Sequence, residues 1–185
     1  VGSAGSDDLV IFLVSGGGSA LLPAPVPPVT LAEKQTLTRL LLEAGATINE
    51  LNTVRKHCSR IKGGQLARAA APAPVLSLIL SDVVGDPLDV IASGPTAPDP
   101  TTYADALAVL AKFRLEDRAP LSIMTHLEHG VRGGIAETPK PGDPLFLRVT
   151  NLVIGNNRLV VEGALEKAGA LGFQPRVLEL KTRSH

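Results

Sequence analysis

Two carboxylates in one short loop are the side chains of this chain best suited to chemistry. Asp82 and Asp86 stand in the loop 81–87, directly after the apolar run 75–80, where Gly85 and Pro87 turn the chain. Ligands of open α/β sheets bind at the carboxyl ends of strands, so two acidic groups there suit metal binding or proton transfer. Aspartate also commonly caps turns, and a structural role stays open for each residue.

A run of three glycines follows a second apolar segment. Residues 8–14 predict a buried strand, and Ser15, the glycines 16–18 and Ser19 come directly after it. Glycines let the backbone turn tightly and point N–H groups at anionic oxygens. The spacing matches neither the dinucleotide fingerprint nor a Walker A loop. An anion- or substrate-binding loop and a purely structural turn both stay open.

Polar side chains, most of them basic, share one face of a predicted helix that begins near Thr47. They are Asn52, Arg55 and Lys56, and Lys62 follows the helix. Arginine and lysine at such a position suit a clamp for a carboxylate or a phosphate. A solvated basic helix end, favoured by the helix dipole, is the alternative.

Two further polar segments are candidate ligand loops. Ser93 and Gly94 lie in the small-residue loop 91–96, which fits either a polar site or a turn. Residues 155–157 follow a predicted strand and open a helix, an arrangement suited to anion binding. Cys58 falls on the apolar face of its helix and is predicted to fill the core, whereas His126 and His129 are predicted to be surface residues.

The order of elements predicts a doubly wound, mostly parallel α/β sheet flanked by helices, of the Rossmann-like kind. Strands are expected at 8–14, 75–80, 147–154 and 174–180. Two capping boxes, at 30–33 and 47–50, open helices, and further helices are expected near 65–71, 102–113, 120–127 and 158–168. Residues 130–143 predict an exposed excursion. We expect one α/β domain over 1–185, with the loops 15–19, 81–86 and 155–157 gathered at one site.

Composition narrows the function classes. Eighteen basic residues balance eighteen acidic ones, so no overall field favours nucleic acid or an anionic membrane. Hydrophobic residues make up 44% and aromatic residues 3%, which is typical of parallel α/β proteins. The single cysteine excludes an internal disulfide and suits a reducing compartment. No apolar run has the length of a membrane span, and we expect a soluble, cytoplasmic protein.

Six motifs in order give the chain a resemblance to a known family, the class II (MOFRL-type) glycerate kinases, which are also known as hydroxypyruvate reductases. The motifs cover nearly the whole chain and lie at 15–22, 52–57, 61–64, 80–86, 91–96 and 153–158. The resemblance implies ATP-dependent phosphorylation of D-glycerate, usually at the 2-hydroxyl, with Mg²⁺ and in a cleft between two domains. It implies binding of D-glycerate and ATP, and a homodimer stays open.

Family members are considerably longer than this chain, which resembles the central part of their large N-terminal domain. A segment with a Gly-Lys-Ala motif and a C-terminal MOFRL domain are absent from it. The resemblance therefore implies that this chain supplies part of the active-site cleft and is inactive by itself.

The resemblance also implies roles for individual residues. Asp82, Asp86 and Lys56 are the expected catalytic residues, and Asp82 and Asp86 are the candidate Mg²⁺ ligands. The expected substrate- or nucleotide-binding residues are Ser15, Gly16, Gly17, Gly18, Ser19, Asn52, Arg55, Lys62, Ser93, Gly94, Gly155, Asn156 and Asn157.

Two other functions compete with this interpretation. An NAD(P)H-dependent hydroxypyruvate reductase would carry a Gly-x-Gly-x-x-Gly turn, which the triple glycine does not fit. A non-catalytic ligand-binding domain would keep the polar loops without a complete phosphoryl-transfer set.

Overall fold

A three-stranded parallel sheet forms one layer of the protein. The computed structural model describes residues 1–178. Strands β1 (Val10–Val14), β2 (Val75–Leu80) and β3 (Val149–Gly155) pair in the order β1-β2-β3. The α/β fold and three of the predicted strands are thereby confirmed. The fourth prediction is wrong over 174–178, which form no strand, and its last two residues lie outside the described residues.

Within residues 1–178, seven α-helices accompany the sheet, and local sequence signals explain where several of them begin. Thr30 and Glu33 form the predicted capping box of one helix, and Thr47 and Glu50 form that of the next. A third capping box links Thr102 to Asp105. The helices are α1 (Gly18–Leu21), α2 (Leu31–Glu43), α3 (Ile48–His57), α4 (Gln65–Ala70), α5 (Tyr103–Lys112), α6 (Leu121–Val131) and α7 (Asn157–Ala170).

The main hydrophobic core lies among the helices rather than on the sheet. Side chains of α2, α3, α5 and α6 form it, and Leu41, Leu110 and Leu127 are fully buried there. Cys58 packs in the same core with 1% of its surface exposed, as its position on the apolar face of α3 predicts. This core fixes α3, which carries the basic residues of the candidate site.

The two faces of the sheet differ in burial. Val14 and Ile79 point to the inner face and pack with Ile91 in a second, smaller core. On the outer face of β1, Ile11 is 57% exposed and Leu13 is 71% exposed. The apolar runs predict strands buried on both faces, but the described residues bury the inner face only. Helix α7 has no buried residue.

Parallel pairing brings the three strand ends to one edge of the sheet. Val14 pairs with Ile79, Leu80 pairs with Gly155, and the Ser81 N–H donates to the Gly155 carbonyl at 2.8 Å. The three predicted ligand loops therefore leave the sheet on the same side. Within residues 1–178, no helix has the length and apolar character that crossing a membrane requires.

Candidate functional site

A small cavity lies at the carboxyl ends of β1 and β2. Its volume is about 180 Å³, and it lies between the glycine loop, α3 and the loops 82–83 and 90–92. The predicted residues that border it are Ser15, Gly16, Gly17, Ser19, Asn52, Arg55 and Asp82. The sheet edge and α3 thus bring together residues far apart in the sequence, as a single ligand site requires.

The glycine loop lies directly against the acidic loop. A Cβ atom on Gly16 would be 2.5 Å from Oδ2 of Asp82, so a side chain at this position would displace the Asp82 carboxylate. Gly17 adopts a φ of 80°, which disfavours other residues. Among the described residues, the N–H groups of Gly16, Gly17 and Ser19 have no protein acceptor. They are hydrogen-bond donors available to an anion.

Two basic side chains, Arg55 and Lys62, contact the glycine loop at Ser19, and a third, Lys34, lines a cavity with Ser19 and Arg55. Lys34 donates to the carbonyls of Pro23 and Cys58, Arg55 donates to the Ser19 carbonyl, and Lys62 donates to the carbonyls of Ser19 and Ala92. None of the ion pairs within residues 1–178 includes Lys34, Arg55 or Lys62. The resulting excess positive charge favours an anionic ligand.

Burial changes the protonation of this basic group. Burial lowers the pKa of Lys62 to about 7, with a further contribution from the positive charges of Arg55 and Lys34. Burial also lowers the pKa of Lys34 to about 8. Arg55 keeps its charge at neutral pH, so it is the permanent cation of the cavity.

A chain of hydrogen bonds connects Asn52, Ser93, Ser19 and Lys62 beside the cavity. Ser93 Oγ donates to Asn52 Oδ1 at 3.0 Å and lies 2.7 Å from Ser19 Oγ. Lys62 Nζ lies 3.1 Å from the same Ser19 oxygen. Ala92 and Ser93 adopt φ values of 52° and 64°, a conformation that costs energy in residues other than glycine. The Gly63 N–H donates to the Ser93 carbonyl and helps to hold this backbone in place.

The third polar loop contacts the acidic loop at Asp86 but does not border the cavity. Asn156 Nδ2 donates to Asp86 Oδ2 at 2.6 Å. The side-chain oxygen Oδ1 of Asn156 accepts from the Leu159 N–H and thereby caps α7. Hydrogen bonds from Ser81 and Asn156 hold the pKa of Asp86 below its usual value. Asp82 borders the 180 Å³ cavity, whereas Asp86, Gly155, Asn156 and Asn157 do not line it.

Comparison with known proteins places the chain in a family. Residues 1–128 match the family described as "Domain of unknown function (DUF4147)". The chain belongs to this DUF4147 family. The resemblance to glycerate kinases predicted from the six motifs is confirmed by relatives of that name.

Curated relatives of this chain are named either as glycerate kinases or as a putative hydroxypyruvate reductase. Glycerate kinase from Homo sapiens is 53% identical over 94% of this chain and 32% of the relative. Glycerate 2-kinase from Pyrococcus horikoshii is 43% identical over 93% of this chain and 38% of the relative. A putative hydroxypyruvate reductase from Agrobacterium vitis is 49% identical over 90% of this chain and 35% of the relative. The chain thus spans about a third of the length of these relatives.

Solved structures agree with the sequence comparison. Glycerate kinase from Thermotoga maritima superimposes with a TM-score of 0.81 at 43% identity, covering 95% of this chain and 39% of that structure. A Pyrococcus horikoshii OT3 protein gives a TM-score of 0.82 at 44% identity over 93% of this chain and 38% of that structure.

Lys56 of the DUF4147 chain lies in a buried ionic network rather than on a solvated helix face. Its Nζ lies 3.3 Å from Asp99 Oδ1 and 3.5 Å from Asp89 Oδ2. Burial raises the pKa of Asp99, but hydrogen bonds from Thr101 and the Lys56 charge outweigh it and hold the pKa below its usual value. The network explains why α3 can bury a lysine.

Several residues of this network were missed from the sequence. His57 Nε2 lies 3.2 Å from Glu137 Oε2, and Thr138 donates to Asp99 Oδ2. Residues 130–143 do not form the expected exposed excursion throughout, because Thr138 is 1% exposed. The one local signal at Asp99 is its turn with Thr101, whose N–H donates back to the carboxylate.

The two later histidines differ in environment. His126 is 8% exposed, and its Nε2 lies 2.9 Å from the His57 carbonyl. The prediction of a surface residue is therefore wrong for His126, because α6 packs its inner side against α3 and α5. His129 is exposed, as predicted. Within residues 1–178, no group of three or more histidine, cysteine or acidic residues could hold a metal ion.

Proposed function

We propose that the protein phosphorylates D-glycerate at its 2-hydroxyl with ATP and Mg²⁺, and that this chain forms part of the active-site cleft of one α/β domain. The observation that carries this proposal is Arg55, which has no acidic partner within residues 1–178 and borders the same cavity as the glycine loop and Asp82, with Lys62 in contact with Ser19 beside it. Phosphoryl transfer depends mainly on positioning and charge neutralisation. The names of two relatives, glycerate kinase and glycerate 2-kinase, support glycerate as the substrate.

Arg55 and the glycine loop are the proposed binding groups for substrate anions. The Arg55 guanidinium keeps its charge and presents a planar set of donors that matches carboxylates and phosphates. Gly16 and Gly17 border the same cavity, and their N–H groups, which have no protein acceptor among residues 1–178, add neutral donors. These groups suit the carboxylate of D-glycerate or the phosphoryl oxygens of ATP.

The acidic loop suits the reacting hydroxyl and the metal ion. Asp82 is exposed at the cavity, and Asp86 follows in the same loop. Mg²⁺ is usually held by one or two carboxylates together with water and substrate phosphates, so this donor set fits the ion without a third protein ligand. Bound Mg²⁺ supplies positive charge to the phosphates. We assign Asp82 to orient the substrate hydroxyl and accept its proton.

The other predicted residues receive supporting roles. Lys56 faces two carboxylates, so we assign it to fixing α3 rather than to contact with substrate. Ser93 supports the glycine loop, the Gly94 carbonyl accepts from the Gly64 N–H, and Asn156 orients Asp86. We place the reaction in the cytoplasm, where a free thiol such as Cys58 stays reduced.

An assay with two substrate sets tests the proposal. The full-length protein receives ATP, Mg²⁺ and D-glycerate, and the release of ADP and the formation of 2-phosphoglycerate are measured. A second reaction contains NADH or NADPH with hydroxypyruvate. We expect ADP and phosphoglycerate in equal amounts and no nucleotide oxidation. Oxidation of the reduced nucleotide without ADP release would instead support the reductase. Binding of ligands without turnover would support a non-catalytic domain.

A further inference from the structure

The Lys62 amine contacts two carbonyl oxygens and the hydroxyl oxygen of Ser19. Lys62 Nζ lies 2.8 Å from the Ser19 carbonyl, 3.3 Å from the Ala92 carbonyl and 3.1 Å from Ser19 Oγ. Carbonyl oxygens only accept hydrogen bonds, so two N–H groups must point at them. When the amine is neutral, its lone pair remains for the hydroxyl of Ser19.

The surroundings of Lys62 favour the neutral amine. The side chain is 1% exposed, and the charged groups that act on it are Arg55 from α3 and Lys34 from α2, both positive. With the pKa of Lys62 lowered to about 7, a large fraction of the amine is neutral at pH 8. A neutral lysine next to a serine hydroxyl is a known arrangement for activating that hydroxyl.

Ser93 and Asn52 complete the arrangement. The oxygens of Ser19 and Ser93 are 2.7 Å apart, and Ser93 also contacts Asn52. The side-chain amide of Asn52 can present either its oxygen or its nitrogen to Ser93. With the nitrogen presented, Asn52 donates to Ser93, Ser93 donates to Ser19, and the hydroxyl of Ser19 donates to Lys62. The Ser93 hydroxyl then stabilises negative charge on the Ser19 oxygen.

Ser19 has access to small molecules from two sides. It borders the 180 Å³ cavity and a neighbouring cavity of about 370 Å³ that Lys34 and Leu42 also line. Gly16 and Gly17 border the first cavity, and their N–H groups have no protein acceptor among residues 1–178. They are donors for the oxyanion that forms when a nucleophile adds to a carbonyl group.

We propose that Ser19 is a nucleophile with Lys62 as its general base, and that it accepts acyl groups from small activated esters. This activity does not depend on glycerate phosphorylation. The Ser19 oxygen bonds to the carbonyl carbon while its proton moves to Lys62. The bond from that carbon to the leaving phenolate then breaks, which leaves an ester on Ser19. Lys62 releases the proton of Ser19 to solvent and then accepts a proton from a water molecule whose oxygen adds to the ester carbonyl. The bond from that carbon to the Ser19 oxygen breaks, the Ser19 oxygen regains the proton from Lys62, and the carboxylic acid is released.

The test uses p-nitrophenyl acetate with the full-length protein, without ATP. The release of p-nitrophenolate is followed by absorbance, and the acetylated residue is located by peptide mass spectrometry. We expect acetyl groups on Ser19, at a rate that rises with pH with a midpoint near 7, because Lys62 must be neutral. Ser19→Ala should abolish labelling at this position, and Ser6→Ala, in an exposed segment, should not change it.

Lys62→Arg separates base catalysis from structural support. Arginine retains the donors and the positive charge but cannot act as a base at neutral pH. We expect acetylation of Ser19 to slow by about a hundredfold or more, the usual contribution of a general base, with circular dichroism spectra and melting temperature checking the fold. Ser93→Ala should also slow it. No acetyl group on Ser19 in the wild type, acetylation of Lys62 instead, or an unchanged rate in folded Lys62→Arg would overturn the proposal.

Discussion

Asp82 and Asp86 belong to one loop but have different environments. Asp82 is exposed beside Gly16, whereas Asp86 accepts a hydrogen bond from Asn156. The sequence could identify both residues, because a buried strand that ends in carboxylates is a local pattern. It could not identify the partner of Asp86, because Asn156 comes from a strand end 70 residues away.

Replacing each aspartate by asparagine tests the roles proposed for the loop. Asparagine tolerates the φ of 52° at Asp86, so the fold should be retained. We expect kcat for glycerate phosphorylation to fall about a hundredfold in Asp86→Asn, the scale for losing one electrostatic contact, and at least as much in Asp82→Asn. Asp7→Asn, in an exposed segment, serves as control. Normal turnover in both loop variants, with only a lower melting temperature, would exclude a catalytic role.

Lys62 predicts a dependence of stability on pH. The pKa of Lys62 is about 7 in the folded chain. Its ordinary value, which applies when the unfolded chain exposes the amine to water, is 10.5. Between these values the unfolded chain binds a proton that the folded chain does not, so the free energy of unfolding rises with pH. Lys34, with a pKa of about 8, adds to the rise at the upper end.

In Lys62→Met, the free energy of unfolding should rise less steeply with pH between pH 7 and 9 than in the wild type. Urea unfolding at several pH values measures this slope. Lys167 is exposed, so Lys167→Met is the control that should retain the wild-type slope. Equal slopes in wild type and Lys62→Met would mean that the amine is protonated in the folded chain throughout this range.

At the scale of elements, local signals placed the helices better than they placed burial. The capping boxes of α2 and α3 lie where the sequence puts them, because a cap depends on residues three positions apart. The burial of Lys56 and His126 depends on how α3 packs against α5 and α6. That packing is nonlocal, and one sequence gives no direct signal for it.

Asp99 connects helix α3 to the segment 137–140, because it pairs with Lys56 and accepts a hydrogen bond from Thr138. Asp99→Asn would leave the buried ammonium of Lys56 without its fully buried partner. Breaking one side of a buried ion pair typically costs about 3 kcal/mol or more, and we expect that loss in the free energy of unfolding by urea. Glu162→Gln, which breaks an exposed pair with Arg158, should cost at most about 1 kcal/mol. Equal small losses in both variants would contradict the structural role of Asp99.

At the scale of the whole molecule, the sequence predicted the parallel sheet and the edge on which the loops gather. Apolar runs with glycine at their ends are a strong signal for buried parallel strands. The outer face, where Leu13 is 71% exposed, could not be predicted. Hydrophobicity indicates that a strand face suits burial, but it does not indicate which residues cover it.

Arg55 connects these scales, because α3 carries it into the cavity that the sheet edge forms. The most direct test of the proposed glycerate site is the KM for D-glycerate in Arg55→Met and Arg39→Met of the full-length protein. Arg39 is exposed and pairs with Glu43 outside the 180 Å³ cavity. We predict a rise of about tenfold or more for Arg55→Met, since a charged hydrogen bond contributes about 1.5–3 kcal/mol, and a change below about twofold for Arg39→Met. An unchanged KM in a folded Arg55→Met variant would contradict the assignment of this cavity to D-glycerate.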